Sequence, residues 1–334
     1  MKAVQVTAPG AISIADVPQP EGGTDAVLKV SQVGICGTDV KILAGKIPVD
    51  YPRVAGHEML GEIVQPAEGF PYALGDRVLV DPGVFCGWCD LCQSGRTNIC
   101  RNGGLLGRDV DGVFTEYVVV PGNRIIPVPD LVTDKAGGLL QVLGTCVHAA
   151  KRLDAFPGRV AAVIGLGVSG QLLSQLLRLQ GYTVVGITRS EWKRELAETL
   201  GATATAEPAR AAKVLADVTS GLGPDLVVEA VGTEATLAQA IELAGSGGEV
   251  LVFGTITGAG EGLPYYQLYY KELTLHNPRA AVPGDYADGV KLAATGSVQL
   301  EPLVTHVLDL GDAQAAFDLV NDSSSLKVLM QAGG

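Results

Sequence analysis

Short apolar runs separated by glycine and proline fill roughly the first 145 residues of the chain. Runs of this length that are bounded by turn residues are typical of β-strands. We therefore expect a β-rich domain in this part of the chain. The predicted strands are Met1–Val6, Ala26–Val33, Leu60–Val64, Arg77–Val80 and Phe114–Val120.

The pattern changes at Arg159, where short apolar strands begin to alternate with helices. Gly181 and Gly201 follow the first two helices and are suited to end them. This alternation predicts a parallel, doubly wound sheet, because parallel strands are joined by crossover helices. The predicted strands are Arg159–Ile164, Thr183–Ile187, Leu226–Val231 and Glu249–Phe253, and the predicted helices are Gln171–Gln180, Trp192–Leu200 and Glu234–Ala244.

Beyond about Ala280 the alternation stops. Pro283 and Gly284 open a predicted helix at Tyr286–Ala294, and short strand-like pieces end the chain. We expect this tail to rejoin the first domain. The predicted domains are residues 1–147 with 282–334, and residues 148–281.

Composition and charge narrow the class of protein. The 334 residues are 47% hydrophobic, which is enough for two sizeable cores. The net charge is −12 and no basic cluster occurs, which argues against nucleic acid and anionic membranes as partners. There is no apolar run long enough for a transmembrane helix, and the first residues do not resemble a signal peptide. We therefore expect a cytoplasmic protein.

Four cysteines with the spacing C-x2-C-x2-C-x7-C stand at Cys86, Cys89, Cys92 and Cys100. One loop can direct four thiolates at one centre, so this spacing predicts a closed, structural zinc site in a lobe at residues 86–100. Unrelated thiols and disulfides are the alternatives. Disulfides between neighbouring thiols of one loop would be strained.

A glycine loop follows the first strand of the predicted parallel sheet. It reads Gly165, Leu166, Gly167, Val168, Ser169 and Gly170, and a predicted helix comes next. In this strand–loop–helix setting, G-x-G-x-x-G predicts a site for the pyrophosphate of a dinucleotide at a helix N-terminus. The alternative is a glycine turn without a ligand.

The end of the second parallel strand indicates which dinucleotide binds. An NAD site usually has an acidic residue there for the ribose hydroxyls. This chain has Thr188, Arg189 and Ser190 instead. A guanidinium flanked by hydroxyls suits a 2′-phosphate, so we predict NADP over NAD. If Arg189 is only a solvated loop residue, NAD remains possible.

A second candidate metal site lies in the β-rich part. Cys36 occurs in G-I-C-G-T-D, and His57 and Glu58 occur in G-H-E-M-L-G. Three protein ligands that leave one position open are the pattern of a catalytic zinc. Alternatively, Cys36 is a buried small side chain and His57 a core histidine.

These motifs, with Gly112–Tyr117 and in this order, resemble those of the zinc-dependent medium-chain alcohol and polyol dehydrogenases, which include sorbitol and threonine dehydrogenases. The resemblance covers nearly the whole chain. It implies a GroES-like β-rich catalytic domain plus a Rossmann domain, with a C-terminal segment that returns to the catalytic domain. It also implies one catalytic and one structural zinc and a homodimer or homotetramer.

The resemblance assigns roles residue by residue. Cys36 and His57 would be zinc ligands, and Glu58 would be a third or exchangeable ligand. Thr38 would hydrogen-bond the substrate oxygen and begin a proton relay. Asp39 would orient His57 through its far ring nitrogen.

Two departures from the family pattern affect the metal site and the relay. Gln141 stands where relatives often have cysteine or glutamate, and a neutral amide is a poor zinc ligand. Gln141 could therefore only hydrogen-bond a water at the metal. Cys146, expected near a helix start with His148, is an alternative ligand. Lys41 replaces a relay histidine, so the relay could run through cofactor hydroxyls or water.

The implied reaction is hydride transfer between a secondary alcohol or polyol, or the matching ketone, and NADP(H). Three alternatives remain: an L-threonine-type amino alcohol dehydrogenase using NAD, a zinc-free NADPH enone reductase, and a cofactor-binding redox regulator. In the first, Arg279 could pair with the substrate carboxylate. The residues considered for substrate contact are Lys41, Arg108, Asp109, His276 and Arg279.

Overall fold

The computed structural model describes residues 1–154, 156–258 and 260–332. They form two compact units. The first contains Met1–Gly144 and the chain from Ala280 onward, and the second contains Thr145–Arg279. The C-terminal segment thus belongs to the same unit as the N-terminal strands.

The strands, numbered along the chain, are β1 (Lys2–Ala8), β2 (Ala11–Asp16), β3 (Ala26–Gly34), β4 (Arg53–Val54), β5 (Glu58–Gln65), β6 (Arg77–Val80), β7 (Gly83–Val84), β8 (Gly104–Leu105), β9 (Tyr117–Val120), β10 (Ile125–Pro127), β11 (Val160–Ile164), β12 (Thr183–Ile187), β13 (Ala204–Ala206), β14 (Leu226–Glu229), β15 (Glu249–Val252), β16 (Thr274–His276), β17 (Val304–Asp309) and β18 (Lys327–Gln331).

The α-helices are α1 (Gly37–Leu43), α2 (Asp90–Gln93), α3 (Asp134–Gly137), α4 (Leu140–Ala150), α5 (Val168–Leu179), α6 (Glu191–Thr199), α7 (Ala211–Thr219), α8 (Glu234–Leu243), α9 (Tyr265–Tyr270), α10 (Pro283–Ala294) and α11 (Ala313–Val320). Short 3-10 turns occur at Thr97–Ile99, Gly122–Arg124, Pro208–Arg210, Glu301–Leu303 and Leu310–Asp312.

The first unit is built on a mixed sheet with the order β10-β6-β5-β3-β18-β17, and β9 also pairs with β3. β3 is buried over most of its length because it pairs with β5, β9 and β18. The core packs against this sheet and includes Phe114 and Phe317, whose rings meet edge to face at 6.1 Å. A smaller sheet, β2-β1-β4, and the pair β7-β8 complete the unit.

The second unit is a six-stranded parallel sheet with the order β13-β12-β11-β14-β15-β16. This is the strand order of a dinucleotide-binding doubly wound fold. The four central strands are apolar and largely buried, as expected for a sheet that is covered on both faces. The predicted fold class, a β-rich domain plus a parallel doubly wound domain, is confirmed.

Most predicted elements begin and end within two residues of their observed bounds. The starts of one strand and two helices, and the place of Cys146 within its helix, were predicted wrongly. The strand predicted from Phe114 begins only at Tyr117, because Thr115 makes an isolated bridge to Ala3 instead. The strand predicted to end at Val231 stops at Glu229. The Glu229 carboxylate accepts hydrogen bonds from the N–H groups of Val231 and Gly232 and turns the chain.

The helix predicted from Gln171 begins at Val168, so the second half of the glycine loop is already helical. The helix predicted from Tyr286 begins at Pro283. Cys146 was expected near a helix start, and this was also wrong. It lies in the second half of α4, which begins at Leu140. The apolar sequence of α4 gives no sign of its start, because a capping residue is absent from that stretch.

Candidate active site and metal centres

The first cluster of ligand-type side chains lies at the end of two neighbouring strands. β3 and β5 are antiparallel, and Gly34 at the end of β3 is opposite Glu58 at the start of β5. Cys36 follows Gly34 by two residues, and His57 precedes Glu58. The thiol, imidazole and carboxylate ligand atoms of Cys36, His57 and Glu58 therefore lie within 4.8 Å of one another.

Asp39 holds in place the two segments of this cluster, one with Cys36 and the other with His57. Its Oδ2 accepts a hydrogen bond from the backbone N–H of Cys36 at 2.8 Å, at the N-terminus of α1. Its Oδ1 accepts one from the N–H of Gly56 at 3.2 Å and lies 3.5 Å from His57 Nδ1. Because Nδ1 faces this fully buried carboxylate, Nε2 is the ring nitrogen left for a metal.

Gly56 brings His57 into place by a backbone conformation that favours glycine. Its φ is +93°, and a Cβ there would lie 2.2 Å from the ring of Phe114. The chain can pass over the Phe114 ring only without a side chain at this position. Gly56 is therefore required by packing next to the candidate ligand.

The charges around His57 favour a cation at the ring. Burial alone would lower the pKa of His57, but Asp39 and Cys36 raise it, and the net pKa lies well above the usual value. A metal ion that binds Nε2 would have to displace a proton from the ring, because metal ligands must be deprotonated. The buried set of one thiol, one imidazole and one carboxylate fits the donor set of a catalytic zinc.

Lys327 was not anticipated from the sequence, although it contacts this cluster. Its Nζ forms a buried ion pair with Glu58 Oε2 and donates to the Ile35 carbonyl at 2.9 Å. Lys327 is 3% exposed and Glu58 is 1% exposed. A Cβ at Gly34 would lie 2.5 Å from Glu58 Oε2, so this glycine leaves room for the pair. The sequence feature that could have identified Lys327 is a single lysine within the apolar stretch Leu326–Met330.

The remaining residues predicted near the metal lie as follows. Thr38 and Lys41 are half-buried on α1, two and five residues after Cys36. Gln141 is buried near the start of α4. Cys146 belongs to the second unit, where its thiol donates to the Ser169 carbonyl at 3.8 Å. His148 is buried on the same helix.

The four-cysteine lobe is the second cluster. All four ligand sulfurs lie within 4.8 Å of one another, and the thiols are free. Backbone N–H groups point at them: Cys86 N–H lies 3.3 Å from Cys100 Sγ, and Cys89 N–H lies 3.4 Å from Cys86 Sγ. Arg101 forms a two-pronged ion pair with Asp90 at 2.6 and 2.8 Å and ties the end of the lobe to α2.

The donor set of the lobe is that of a cation site. The backbone N–H groups of Arg101 and Cys92 lower the pKa of Cys89 to about 6. Burial raises the pKa of Cys92 to about 12. Four thiolates this close repel one another unless a cation lies among them. A donor set of four thiolates without an open position fits a structural zinc.

The glycine loop of the second unit connects β11 to α5. Gly165 has φ +92°, and its N–H donates to the Ile187 carbonyl at 2.9 Å. A Cβ at Gly170 would lie 1.8 Å from the Gly165 carbonyl oxygen, so this glycine allows helix and loop to pack. A Cβ at Gly167 would meet nothing within 4 Å. Packing therefore does not require Gly167, but the close approach of a phosphate would.

The end of β12 forms the wall of a small cavity. Arg189 is exposed and lines a cavity of about 340 Å³ with Glu207, Pro208 and Ala209. Arg194, which the sequence did not single out, donates to the carbonyls of Thr188 at 2.9 Å and Arg189 at 3.1 Å. It also lies 3.5 Å from Glu207. Arg194 thus holds the Thr188–Ser190 segment and offsets the carboxylate charge beside Arg189.

The other residues considered for substrate contact have local partners or are exposed. Arg108 pairs with Asp109 at 2.7 Å, and the same carboxylate accepts the Leu105 N–H at 2.7 Å. His276 Nε2 lies 2.7 Å from Glu249 Oε2. Arg279 is exposed at the end of the second unit. Within the described residues, no helix is long and apolar enough to cross a membrane.

Comparison with known proteins agrees with this geometry. Residues 22–130 match the family model described as the alcohol dehydrogenase GroES-like domain, and residues 169–295 match the one described as zinc-binding dehydrogenase. L-threonine 3-dehydrogenase of Shewanella loihica is 31% identical, over 96% of both chains. L-galactonate-5-dehydrogenase of Escherichia coli is also 31% identical, over 93% of both chains.

The fold is likewise similar to a solved structure from Sinorhizobium meliloti. That protein is described as a zinc-binding dehydrogenase bound to NADP. It is 33% identical with a TM-score of 0.91, over 99% of this chain and 98% of that chain.

Proposed function

Because the chain belongs to the zinc-dependent medium-chain alcohol and polyol dehydrogenases, we propose that it transfers a hydride between a secondary alcohol or polyol and NADP, in either direction. At the coarser level, it is an oxidoreductase of the zinc-dependent alcohol dehydrogenase type. The observation that carries the proposal is the buried cluster of Cys36, His57 and Glu58, whose ligand atoms lie within 4.8 Å of one another.

Cys36 and His57 hold the catalytic metal, with Glu58 as a third or exchangeable ligand. A zinc ion bound there supplies Lewis acidity, which makes the proton of a substrate hydroxyl easier to remove. Asp39 keeps the His57 ring oriented through Nδ1. Gln141 is a neighbour of the metal rather than a strong ligand. Cys86, Cys89, Cys92 and Cys100 hold the structural zinc.

Thr38 is the group that accepts the substrate proton and passes it outward. It lies in the first turn of α1, two residues after Cys36, and is half-buried. The hydroxyl can accept one proton while it donates its own, so it moves a proton without becoming charged. A bound nicotinamide would accept the hydride that the carbinol carbon gives up, and the alcohol would become a ketone. Oxidation thus releases one proton and forms one NADPH.

We infer NADP rather than NAD from the end of β12. No acidic residue is present at Thr188, Arg189 or Ser190 to pair the ribose hydroxyls. The Arg189 guanidinium lines an open cavity, and its fork can bind a phosphate with two parallel hydrogen bonds. The pyrophosphate binds over the glycine loop, where Gly167 leaves the backbone open.

We also propose a homodimer or homotetramer. Four tyrosines of the short helix α9 are 66–78% exposed, which is unusual for large aromatic side chains in one place. β16, which follows α9, is an end strand of the parallel sheet, and among the described residues no strand pairs with its outer edge. Light scattering tests this proposal, and the mass of a single chain would contradict it.

An L-threonine-type amino alcohol dehydrogenase is the second candidate. A threonine 3-dehydrogenase and a galactonate dehydrogenase are equally similar to the chain, at 31% identity. Such an enzyme needs a cation for the substrate carboxylate, and Arg279 is exposed. Arg279→Gln would then raise KM for threonine while leaving KM for neutral polyols unchanged.

The test is reduced-cofactor formation from propan-2-ol, sorbitol, other polyols, sugars and L-threonine, each with NADP and with NAD. The proposal expects turnover of a polyol or secondary alcohol, with the higher kcat/KM for NADP. Turnover of threonine alone with NAD would contradict the substrate and the cofactor together. Turnover of a polyol with NAD would contradict only the Arg189 argument.

A further inference from the structure

A buried carboxylate at the end of a central strand of the second unit has no part in the roles assigned above. Glu229 ends β14 and is 0% exposed. Its Oε1 accepts hydrogen bonds from the N–H groups of Val231 at 2.9 Å and Gly232 at 2.8 Å, and from the Thr236 hydroxyl at 2.8 Å. Its Oε2 is buried and has no hydrogen-bond partner among the described residues. A half-satisfied buried carboxylate is costly, so its presence calls for a reason.

The segment that follows this carboxylate lies against the glycine loop. β14 and β11 are parallel neighbours, and the Ala230 N–H donates to the Ile164 carbonyl at 2.9 Å. The chain continues from Ile164 into Gly165, the first glycine of the loop. A Cβ added at Gly165 would lie 2.6 Å from Val231 Cγ2 and 3.2 Å from the Ala230 carbonyl carbon. Residues 230–232, which we call the β14 turn, therefore pack directly on the start of the loop.

The β14 turn is also held from its other side. Gly232 has φ +92°, and a Cβ there would lie 3.2 Å from the backbone nitrogen of Thr255. A Cβ added at Gly254, which follows β15, would lie 2.5 Å from Glu229 Oε2. The turn thus fits between the glycine loop and the chain after β15, and two of its three N–H groups are directed at one carboxylate oxygen. Glu229 therefore sets the backbone conformation of the turn.

The position of the β14 turn in the sheet indicates which half of a dinucleotide it faces. In the order β13-β12-β11-β14-β15-β16, the direction in which the strands are added reverses between β11 and β14. A dinucleotide lies across this point in doubly wound sheets, with one nucleotide on each side. Arg189 follows β12 on one side, where the proposed function has the adenosine half. The β14 turn is on the other side, which is left for the nicotinamide half, and Val231 is 51% exposed there.

We propose that Glu229 is a positioning residue that holds the β14 turn as a wall of the site for the nicotinamide half of the cofactor. This inference rests on the proposed function. Glu229 is fully buried and touches no cofactor atom itself, so it acts through the backbone of Ala230 and Val231. Hydride transfer requires the nicotinamide ring to be held in one orientation, and a turn fixed by a buried carboxylate is suited to that task.

The test compares two ligands by titration calorimetry of the zinc-loaded protein. NADPH carries both nucleotides, whereas 2′,5′-ADP carries the adenosine half with its 2′-phosphate and lacks the nicotinamide. The variants are Glu229→Ala and Glu229→Gln, together with Thr236→Val, which removes one donor to Oε1 and leaves the carboxylate in place. Thr236→Ser is the matched control, because it keeps the hydroxyl. Thr236→Val also decides the outcome if Glu229→Ala does not fold.

We expect Glu229→Ala to weaken NADPH binding about 10–100-fold and Thr236→Val about 3–10-fold, the ranges for hydrogen bonds to a charged group and for one ordinary hydrogen bond. Binding of 2′,5′-ADP should be unchanged in both variants. Glu229→Gln keeps an acceptor oxygen and should retain more NADPH affinity than Glu229→Ala, and Thr236→Ser should bind like the wild type.

Equal losses for the two ligands, or wild-type NADPH affinity in Glu229→Ala and Thr236→Val, would overturn the role of Glu229 and leave the proposed function standing. A wild-type protein that binds neither NADPH nor NADH would instead contradict the proposed function, and the inference with it. If the wild type prefers NADH, the same comparison between NADH and ADP decides the role of Glu229.

Discussion

Replacing Lys327 by methionine should strongly destabilise the first unit. Lys327 and Glu58 are 3% and 1% exposed, so the pair is shielded from water. The substitution leaves Glu58 without its cation and the Ile35 carbonyl without the Nζ donor. Breaking a buried pair in this way costs about 3–5 kcal/mol. For a unit of about 200 residues, this corresponds to a fall in Tm of about 6–20 °C.

The assay is thermal and urea unfolding of the metal-free protein, so that loss of zinc does not contribute. Lys291→Met is the matched control, because Lys291 pairs with Asp288 at 3.1 Å but is 76% exposed. We expect a change below about 1 kcal/mol there. The double variant Lys327→Met/Glu58→Gln should recover most of the loss, because it removes the unpaired charge. A loss below about 1 kcal/mol in Lys327→Met, or no recovery in the double variant, would refute the reasoning.

Three further predictions concern the cofactor and the two metals. Arg189→Gln should lower kcat/KM for NADP about 10–100-fold, since hydrogen bonds from a charged group contribute about 1.5–3 kcal/mol; an equal loss with NAD in steady-state kinetics would contradict it. Cys92→Ser should remove one zinc per chain by metal analysis and lower the free energy of unfolding, whereas unchanged zinc content would argue against the lobe as a metal site. Zinc affinity at the Cys36–His57 site should rise with pH through the raised pKa of His57, because zinc needs the neutral imidazole; affinity independent of pH in chelator competition would refute this.

The sequence was sufficient to predict the fold class and the family. The alternation that begins at Arg159 predicted the parallel sheet, because short apolar strands followed by helices have few other arrangements. The motifs around Cys36, His57 and the four-cysteine lobe indicated the family, which the family models and relatives confirm. The strand–helix alternation and the motifs each lie within short segments, so they can be recognised from residue type and spacing alone.

Contacts between distant segments could not be predicted in the same way. Lys327 is 269 residues from Glu58, and only the pairing of β18 with β3 brings them together. Tyr286 likewise lies over Gly144 because α10 packs on α4. The position of each residue along the chain gives no sign of the residue that it meets. The strand predicted at Phe114 failed for a related reason, since its backbone bonds go to different neighbours on either side.

The central claim is that the Cys36–His57–Glu58 cluster holds a zinc ion needed for hydride transfer to NADP. The most direct test measures zinc per chain and NADPH formation from a panel of polyols and secondary alcohols, in the wild-type protein and in Cys36→Ser. We predict two zinc ions and turnover in the wild type, and one zinc ion, an intact fold and no turnover in the variant. Near-normal kcat in Cys36→Ser, or turnover in a wild-type protein whose only zinc lies in the four-cysteine lobe, would contradict a catalytic metal at this site.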